Sequence, residues 1–241
     1  MHGPASILPL RVNGLTYAVR GKPLVEDVSF TIEPGLRTVI LGPNGSGKTL
    51  TLSLCHGLVT PTGGRVEWQG AAHANGHRRH AMVFQHPIML RRSVRANLLH
   101  ALAVNNFGWR ARRERAGQAL ERFGLTALAE RSARVVSGGE KQRIALARAW
   151  ALKPEVLFLD EPTSALDPSA TKIIEELIQD FTADGVTVVM TTHDLGQARR
   201  LADRVMFLHR GRLLEHTEAK DFFAEPRSVE ARAFLNGDLL W

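Results

Sequence analysis

The run Gly42-Pro43-Asn44-Gly45-Ser46-Gly47-Lys48-Thr49 carries the residue types that hold a polyphosphate. Its spacing, G-x-x-x-x-G-K-[ST], is that of a phosphate-binding loop. The glycines let backbone N–H groups come close to phosphate oxygens. A helix beginning immediately afterwards aims its positive end at the same point. Lys48 is expected to reach the β- and γ-phosphates, and the Thr49 hydroxyl to ligate Mg²⁺. The flanks agree with this reading. Arg37–Leu41 is short, apolar and β-branched, which predicts a buried strand. Leu50, Leu52, Leu54 and Leu58 sit among small residues, which predicts a buried helix.

A metal bound to phosphates needs a carboxylate, and Val156-Leu157-Phe158-Leu159-Asp160-Glu161 supplies one at the end of an apolar strand. Ligands of open α/β sheets bind at that carboxyl edge, so Asp160 is expected to hold Mg²⁺, directly or through water. Glu161 is suited to orient and deprotonate an attacking water. Alone, such a run reads as a charged strand cap; the phosphate loop upstream changes the reading. Val136-Ser137-Gly138-Gly139-Glu140-Lys141-Gln142-Arg143 then predicts a second anion-binding helix start. One γ-phosphate could use both elements if two subunits face each other.

With these motifs, the chain resembles the ATP-binding subunits of ABC transporters over nearly its whole length. The resemblance implies an α/β fold of the P-loop NTPase class. Its mostly parallel sheet would carry an N-terminal antiparallel β subdomain and an inserted helical subdomain. It also implies roles for matching positions. Gly42, Pro43, Asn44, Gly45, Ser46, Gly47, Lys48 and Thr49 match Walker A, Asp160 ends the Walker B strand, and Glu161 matches the catalytic base. Gln85 matches the Q-loop glutamine, which approaches Mg²⁺ and water and links to the membrane partner. Ser137, Gly138 and Gly139 match the signature that binds ATP held by the opposite subunit. Ser164-Ala165-Leu166-Asp167 matches the D-loop, and His193 the switch histidine at the γ-phosphate. Tyr17, the sole tyrosine, sits where the family stacks an aromatic on adenine. Val136 and Glu140 depart from the usual leucine and glutamine of the signature without removing its serine or glycines.

The implied protein is an ATPase using ATP and Mg²⁺, working as a homodimer beneath integral membrane permease subunits. An extracytoplasmic substrate-binding protein would act indirectly, and no nucleic acid is expected. The helical insertion and the Gln85 loop would receive a cytoplasmic helix of the permease, which offers a use for Arg91, Arg92 and Arg95. The segment Gln85–Val94 and the ending Ala233–Trp241 are similar to those of bacterial tungstate-uptake ATPases. Molybdate, phosphate and polar amino-acid importers lie nearby. DNA-repair and chromosome ATPases share the motifs but separate the halves by a long coiled coil. Here residues 50 to 136 intervene without sustained heptads. A role as an ATP-dependent clamp without transport is the other alternative, and Glu161 and His193 argue against it.

Composition fits this expectation. The 241 residues are 44% hydrophobic and 23% charged, ordinary for a soluble globular protein. No apolar run is long enough for a transmembrane helix, and no signal peptide is read at the N-terminus. These readings point to the cytoplasm, and the resemblance implies a peripheral subunit at the cytoplasmic face of the inner membrane. The single cysteine, Cys55, precludes an internal disulfide and reads as a buried hydrophobe. The net charge of +7 is concentrated between Arg91 and Arg134, read as a solvated helical face, a membrane-proximal face or a protein-docking face. His73, His77 and His80, with Arg78 and Arg79, read as an exposed loop, since no cysteine or carboxylate accompanies them.

Residues 8 to 33 alternate around turns at Asn13-Gly14 and Gly21-Lys22-Pro23, predicting antiparallel strands with Val28, Phe30 and Ile32 on one face. Further strands are expected at Arg65–Trp68, Ala81–Phe84, Glu155–Leu159, Val186–Thr192 and Arg204–Leu208. Helices are expected at Glu140–Leu152, Ser169–Phe181 and Leu195–Leu201, and in the tail after Glu218. A single ATPase domain over 8–236 is expected, with a helical insertion near 86–152 and tails at 1–7 and 237–241. Alternating strands and helices imply a mostly parallel sheet covered on both faces.

Overall fold

A computed structural model describes residues 6–70 and 79–238. Its first elements are β1 (Leu10–Val19), β2 (Lys22–Ile32), β3 (Arg37–Leu41), α1 (Lys48–His56), β4 (Gly63–Trp68) and β5 (His80–Val83). Then follow α2 (Val94–Val104), α3 (Trp109–Arg122), a short 3₁₀ turn, α4 (Gly138–Ala151), β6 (Val156–Asp160) and α5 (Pro168–Ala183). The chain ends with β7 (Thr187–Thr191), α6 (Leu195–Leu201), β8 (Arg204–His209), β9 (Arg212–Glu218), α7 (Ala219–Ala224) and α8 (Val229–Asn236). The fold is α/β and divides into two compact units, Met1–Ala72 with Thr187–Trp241, and His73–Val186.

In the first unit, β2, β1 and β4 form an antiparallel sheet. Val28, Phe30 and Ile32 are all buried there, as their alternation requires. A second layer runs β7-β3-β8-β9, the first three strands parallel and β9 returning antiparallel. Val39, Ile40 and Leu41 are buried, and β7 is buried throughout, the continuous apolar pattern of a strand covered on both faces. Arg37 fastens the start of β3 to the start of β8. Its backbone N–H and Nε donate to one Asp203 carboxylate oxygen at 2.8 and 3.0 Å, and a terminal nitrogen donates to the other at 2.7 Å.

The second unit pairs β5 with β6 in parallel and carries the helices from α2 to α5. All five residues of β6 are buried. Ser93 caps α2, its hydroxyl accepting from the Ala96 N–H at 3.2 Å. Ile144, Leu146 and Ala147 of α4 are buried. Phe123 packs its ring on Trp150 and Phe181, joining the end of α3 to α4 and α5.

Two details differ from the sequence reading. Leu58 lies beyond the helix and is 49% exposed, because Gly57 ends α1 in a left-handed cap at φ 80°. Strand β9 was not expected; it follows the turn at Arg210-Gly211. His73, His77, Arg78, the tail residues 1–5 and Leu239–Trp241 lie outside the described residues. His80 is in β5, and Arg79 forms an ion pair with Glu155 at 2.7 Å. No helix among the described residues is long and apolar enough to cross a membrane.

Candidate nucleotide site

The loop between β3 and α1 is built around two backbone constraints. Gly42 has φ 148°, and a Cβ there would stand 2.0 Å from the Leu208 carbonyl oxygen of β8. Only glycine fits, so the loop backbone is pressed against the sheet edge. Gly47 caps α1 with φ 99° and no side-chain hydrogen bond. The first N–H groups of α1 therefore take no side-chain cap, the condition for receiving an anion. Lys48 is buried and its ammonium donates to the carbonyls of Gly42 at 2.8 Å and Pro43 at 3.1 Å. Asn44, Gly45 and Thr49 are exposed. The Ser46 hydroxyl is buried without a hydrogen-bond partner, an orphan that a tight loop around an anion accounts for. These features fit a polyphosphate.

In the same unit, Tyr17 lies half-buried on β1 opposite Val25. His193 is exposed just after β7. Asp194 follows it and caps α6, accepting from the Gln197 N–H at 2.9 Å. That cap fixes where the chain leaves the strand, and so where His193 is presented.

The second unit carries the carboxylates. Asp160 closes β6 and is 4% exposed. Glu161 adopts φ 43°, a left-handed conformation that costs a non-glycine residue about 1 kcal/mol. Backbone strain of this kind concentrates at functional positions, and no sequence signal marked it. Gln85 is exposed after β5, and its amide donates to the Ser164 hydroxyl at 3.0 Å. Asp167 caps α5, accepting from the Ala170 N–H at 2.9 Å, with Pro168 at the first helical position.

Ser137 caps α4 through a full capping box. Its hydroxyl accepts from the Glu140 N–H at 3.2 Å, and the Glu140 carboxylate accepts from the Ser137 N–H at 2.7 Å. That backbone hydrogen bond holds the Glu140 carboxyl below the usual glutamate range, helped by the Ser137 side chain and nearby arginines against partial burial. Glu140 is thus a structural half of the motif. Gly139 has a packing reason as well: a Cβ there would touch Ala170 of α5 at 3.0 Å.

Thr49 in the first unit offers a hydroxyl oxygen, and Asp160 and Gln85 in the second offer carboxylate and amide oxygens; each is a hard donor of the kind that suits Mg²⁺. The sequence reasoning reached each of these residues. It missed the strain at Glu161 and the cap made by Glu140.

Comparisons with known proteins agree with the motifs. The sequence profile of the ABC transporter family matches residues 25–164. The phosphate import ATP-binding protein PstB 2 of Natronomonas pharaonis is 36% identical, covering 96% of this chain and 88% of that protein. The tungstate uptake system ATP-binding protein TupC of Peptoclostridium acidaminophilum is 36% identical over 90% of this chain and 100% of its own length. Among solved structures, the ATP-binding subunit of an ABC transporter superposes with a TM-score of 0.81 at 25% identity, covering 95% of this chain and 99% of that one. A dimeric ATP-binding cassette in a post-hydrolysis state, bound to ADP and Pi, gives 0.76 at 27% identity over 87% and 98%. The chain belongs to the ABC transporter family, as one of its ATP-binding, ATP-hydrolysing components.

Proposed function

We propose that this chain is the motor of an oxyanion importer, with tungstate as cargo, and that it drives separate permease subunits from the cytoplasmic face of the membrane. The observation that carries the cargo is the full-length match, at 36% identity, to a tungstate uptake ATPase. The phosphate import relative at the same identity supports the oxyanion class. Methionine and arginine import proteins at 37% and 32% identity keep an amino-acid importer as the second reading.

ATP is held by the loop Gly42–Thr49, with Tyr17 stacking on adenine. Lys48 and the α1 N-terminus hold the β- and γ-phosphates. Thr49, Asp160 and Gln85 would hold Mg²⁺, which when bound would neutralise charge on the phosphates. Glu161 orients the attacking water and takes its proton, and His193 contacts the γ-phosphate. The uncapped N–H groups of α1 and the constrained backbone of Glu161 are set before reaction, so catalysis is mainly placement and charge stabilisation. In a head-to-tail homodimer, Ser137, Gly138 and Gly139 bind the γ-phosphate of ATP held by the other copy. Closure on ATP and opening after hydrolysis then move the permease between two states. An extracytoplasmic binding protein delivers cargo on the far side.

The test is uptake of labelled tungstate, molybdate, phosphate and methionine in source cells carrying the intact chain or Glu161→Gln. Selective loss of tungstate uptake is the expected result. Loss of methionine uptake alone would establish the second reading. Unchanged uptake of all four would overturn import by this chain of any of them.

A further inference from the structure

The hairpin turn between β8 and β9 touches both the phosphate loop and the strand paired with Tyr17. Arg210 and Gly211 are its two central residues, at φ 47° and 78°, and His209 pairs with Arg212 across it. Two residues in left-handed backbone are the usual connection of a tight hairpin. The Gly211 N–H donates to the Ser46 carbonyl at 3.1 Å, and the Gly211 carbonyl accepts from the Glu26 N–H at 2.8 Å. One residue thus bridges the phosphate loop and β2.

Strand β2 is shaped for this contact. Leu15 pairs with Val28 and Tyr17 with Val25, so β2 holds one residue more than β1 between the two pairs. Such a bulge leaves a backbone group outside the ladder. Glu26 lies within it, and its N–H is the one that reaches Gly211. The neighbouring backbone is packed to contact on two glycines. A Cβ on Gly211 would stand 2.7 Å from the Leu24 carbonyl oxygen and 3.0 Å from its carbon. A Cβ on Gly47 would stand 3.1 Å from the same oxygen and 3.3 Å from the side chain of Val25, which is fully buried. On the outside, Arg212 forks onto the Glu26 carboxylate at 3.1 and 2.8 Å. That pair is exposed, so it contributes orientation more than stability.

A nucleotide has a fixed reach from base to phosphates. A site that grips both ends gains from both only while its two parts keep the matching separation. We infer that Gly211 is a positioning residue that sets the distance between the Tyr17 strand and the phosphate loop, so that the base and the phosphates of ATP are held together. The inference rests on the reading of Tyr17 and Gly42–Thr49 as the two ends of the ATP site.

Gly211→Asn is the test variant, since asparagine accepts left-handed backbone but brings a Cβ. The loop is continuous with β3 and α1 and rests on Leu208, so the part displaced is the Leu24–Glu26 stretch of β2. Gly21→Asn is the matched control: it sits in the β1–β2 hairpin at φ 79°, and a Cβ there meets nothing within 4 Å. Titration calorimetry of the full chain with Mg²⁺ compares a non-hydrolysable ATP analogue, which uses both ends, with inorganic tripolyphosphate, which uses the loop alone. Gly211→Asn is expected to weaken the analogue about tenfold and tripolyphosphate less than about twofold. Gly21→Asn should leave both within about twofold of the parent.

If thermal melting shows that Gly211→Asn does not fold, the ion pair carries the test. Arg212→Glu or Glu26→Arg alone should shrink the analogue's advantage over tripolyphosphate about threefold, and the two together should restore it. Equal loss of both probes in Gly211→Asn, parent-like binding of both, or no restoration in the double swap would overturn the inference. The parent chain is titrated first, which separates the two failures. Equal binding of both probes by the parent would sink the role of Tyr17, and a parent binding neither would sink the loop reading; either takes the inference with it.

Discussion

The Gln85 amide donates to the Ser164 hydroxyl at 3.0 Å, which ties the residue proposed to approach Mg²⁺ to the loop leading into α5. The bond is made through the amide nitrogen, so it sets the direction in which the amide oxygen, the metal donor, is presented. A hydrogen bond of this kind contributes about 1 kcal/mol net. Ser164→Ala should therefore raise the Mg²⁺ concentration for half-maximal ATP turnover by about fivefold. An unchanged Mg²⁺ dependence would mean that this contact does not orient Gln85.

Gly42 and Gly45 offer a matched comparison in one loop. Both have positive φ, but a Cβ on Gly42 meets Leu208 at 2.0 Å, whereas one on Gly45 meets nothing within 4 Å. Gly45→Ala should cost about 1 kcal/mol of stability, from its backbone conformation alone. Gly42→Ala must displace the loop from β8 and should weaken ATP binding by more than tenfold. Isothermal titration with an ATP analogue, beside thermal melting, separates the two effects.

Glu140 stands at the start of α4, where the family reading places a phosphate. Its carboxylate completes the cap, yet repels an anion at the same helix end. Glu140→Gln keeps the capping geometry and removes the charge. ATP-driven dimerisation should tighten several-fold at low salt, with the difference shrinking as salt rises. Sedimentation at two salt concentrations checks this.

Asp203 gives the fold an acid limit. Partial burial pushes its carboxyl up, but the hydrogen bonds and charge of Arg37 outweigh that and hold it below the usual aspartate range. The sign follows: the stabilisation is complete above the unfolded value near 3.8 and is lost as pH falls through the lower folded value. The pair is partly exposed, so screening limits it to roughly 1 kcal/mol. Asp203→Asn should lower the urea midpoint at pH 6 and approach the parent's midpoint below pH 3.

The motifs were legible because their chemistry is local. A glycine-rich turn after a buried strand, Asp160 at the end of β6, and Ser137 before α4 each fix their own backbone. Less was legible where distant segments decide. Gly42 needs glycine because Leu208 stands against it, and Gly139 because Ala170 does. Arg37 is an ordinary strand start until Asp203 returns to it. The β9 run Arg212–Glu218 breaks strict alternation, so only its pairing with β8 defines it. The end of α1 was readable in principle: Gly57 is a standard stop signal, and Leu58 beyond it was misplaced by following leucine spacing alone. The packing of α3 was hidden because the helix is rich in charge and buries only Ala116, Ala119 and Leu120.

The central claim is that Glu161 activates water while the phosphate loop and the Ser137 motif clamp ATP between two copies. The direct measurement is the mass of purified Glu161→Gln by light scattering, with ATP and Mg²⁺, beside its ATP turnover. The account predicts a stable dimer with turnover reduced at least a hundredfold, and a monomer when ATP is omitted. A monomer in ATP, or turnover equal to that of the parent chain, would contradict it.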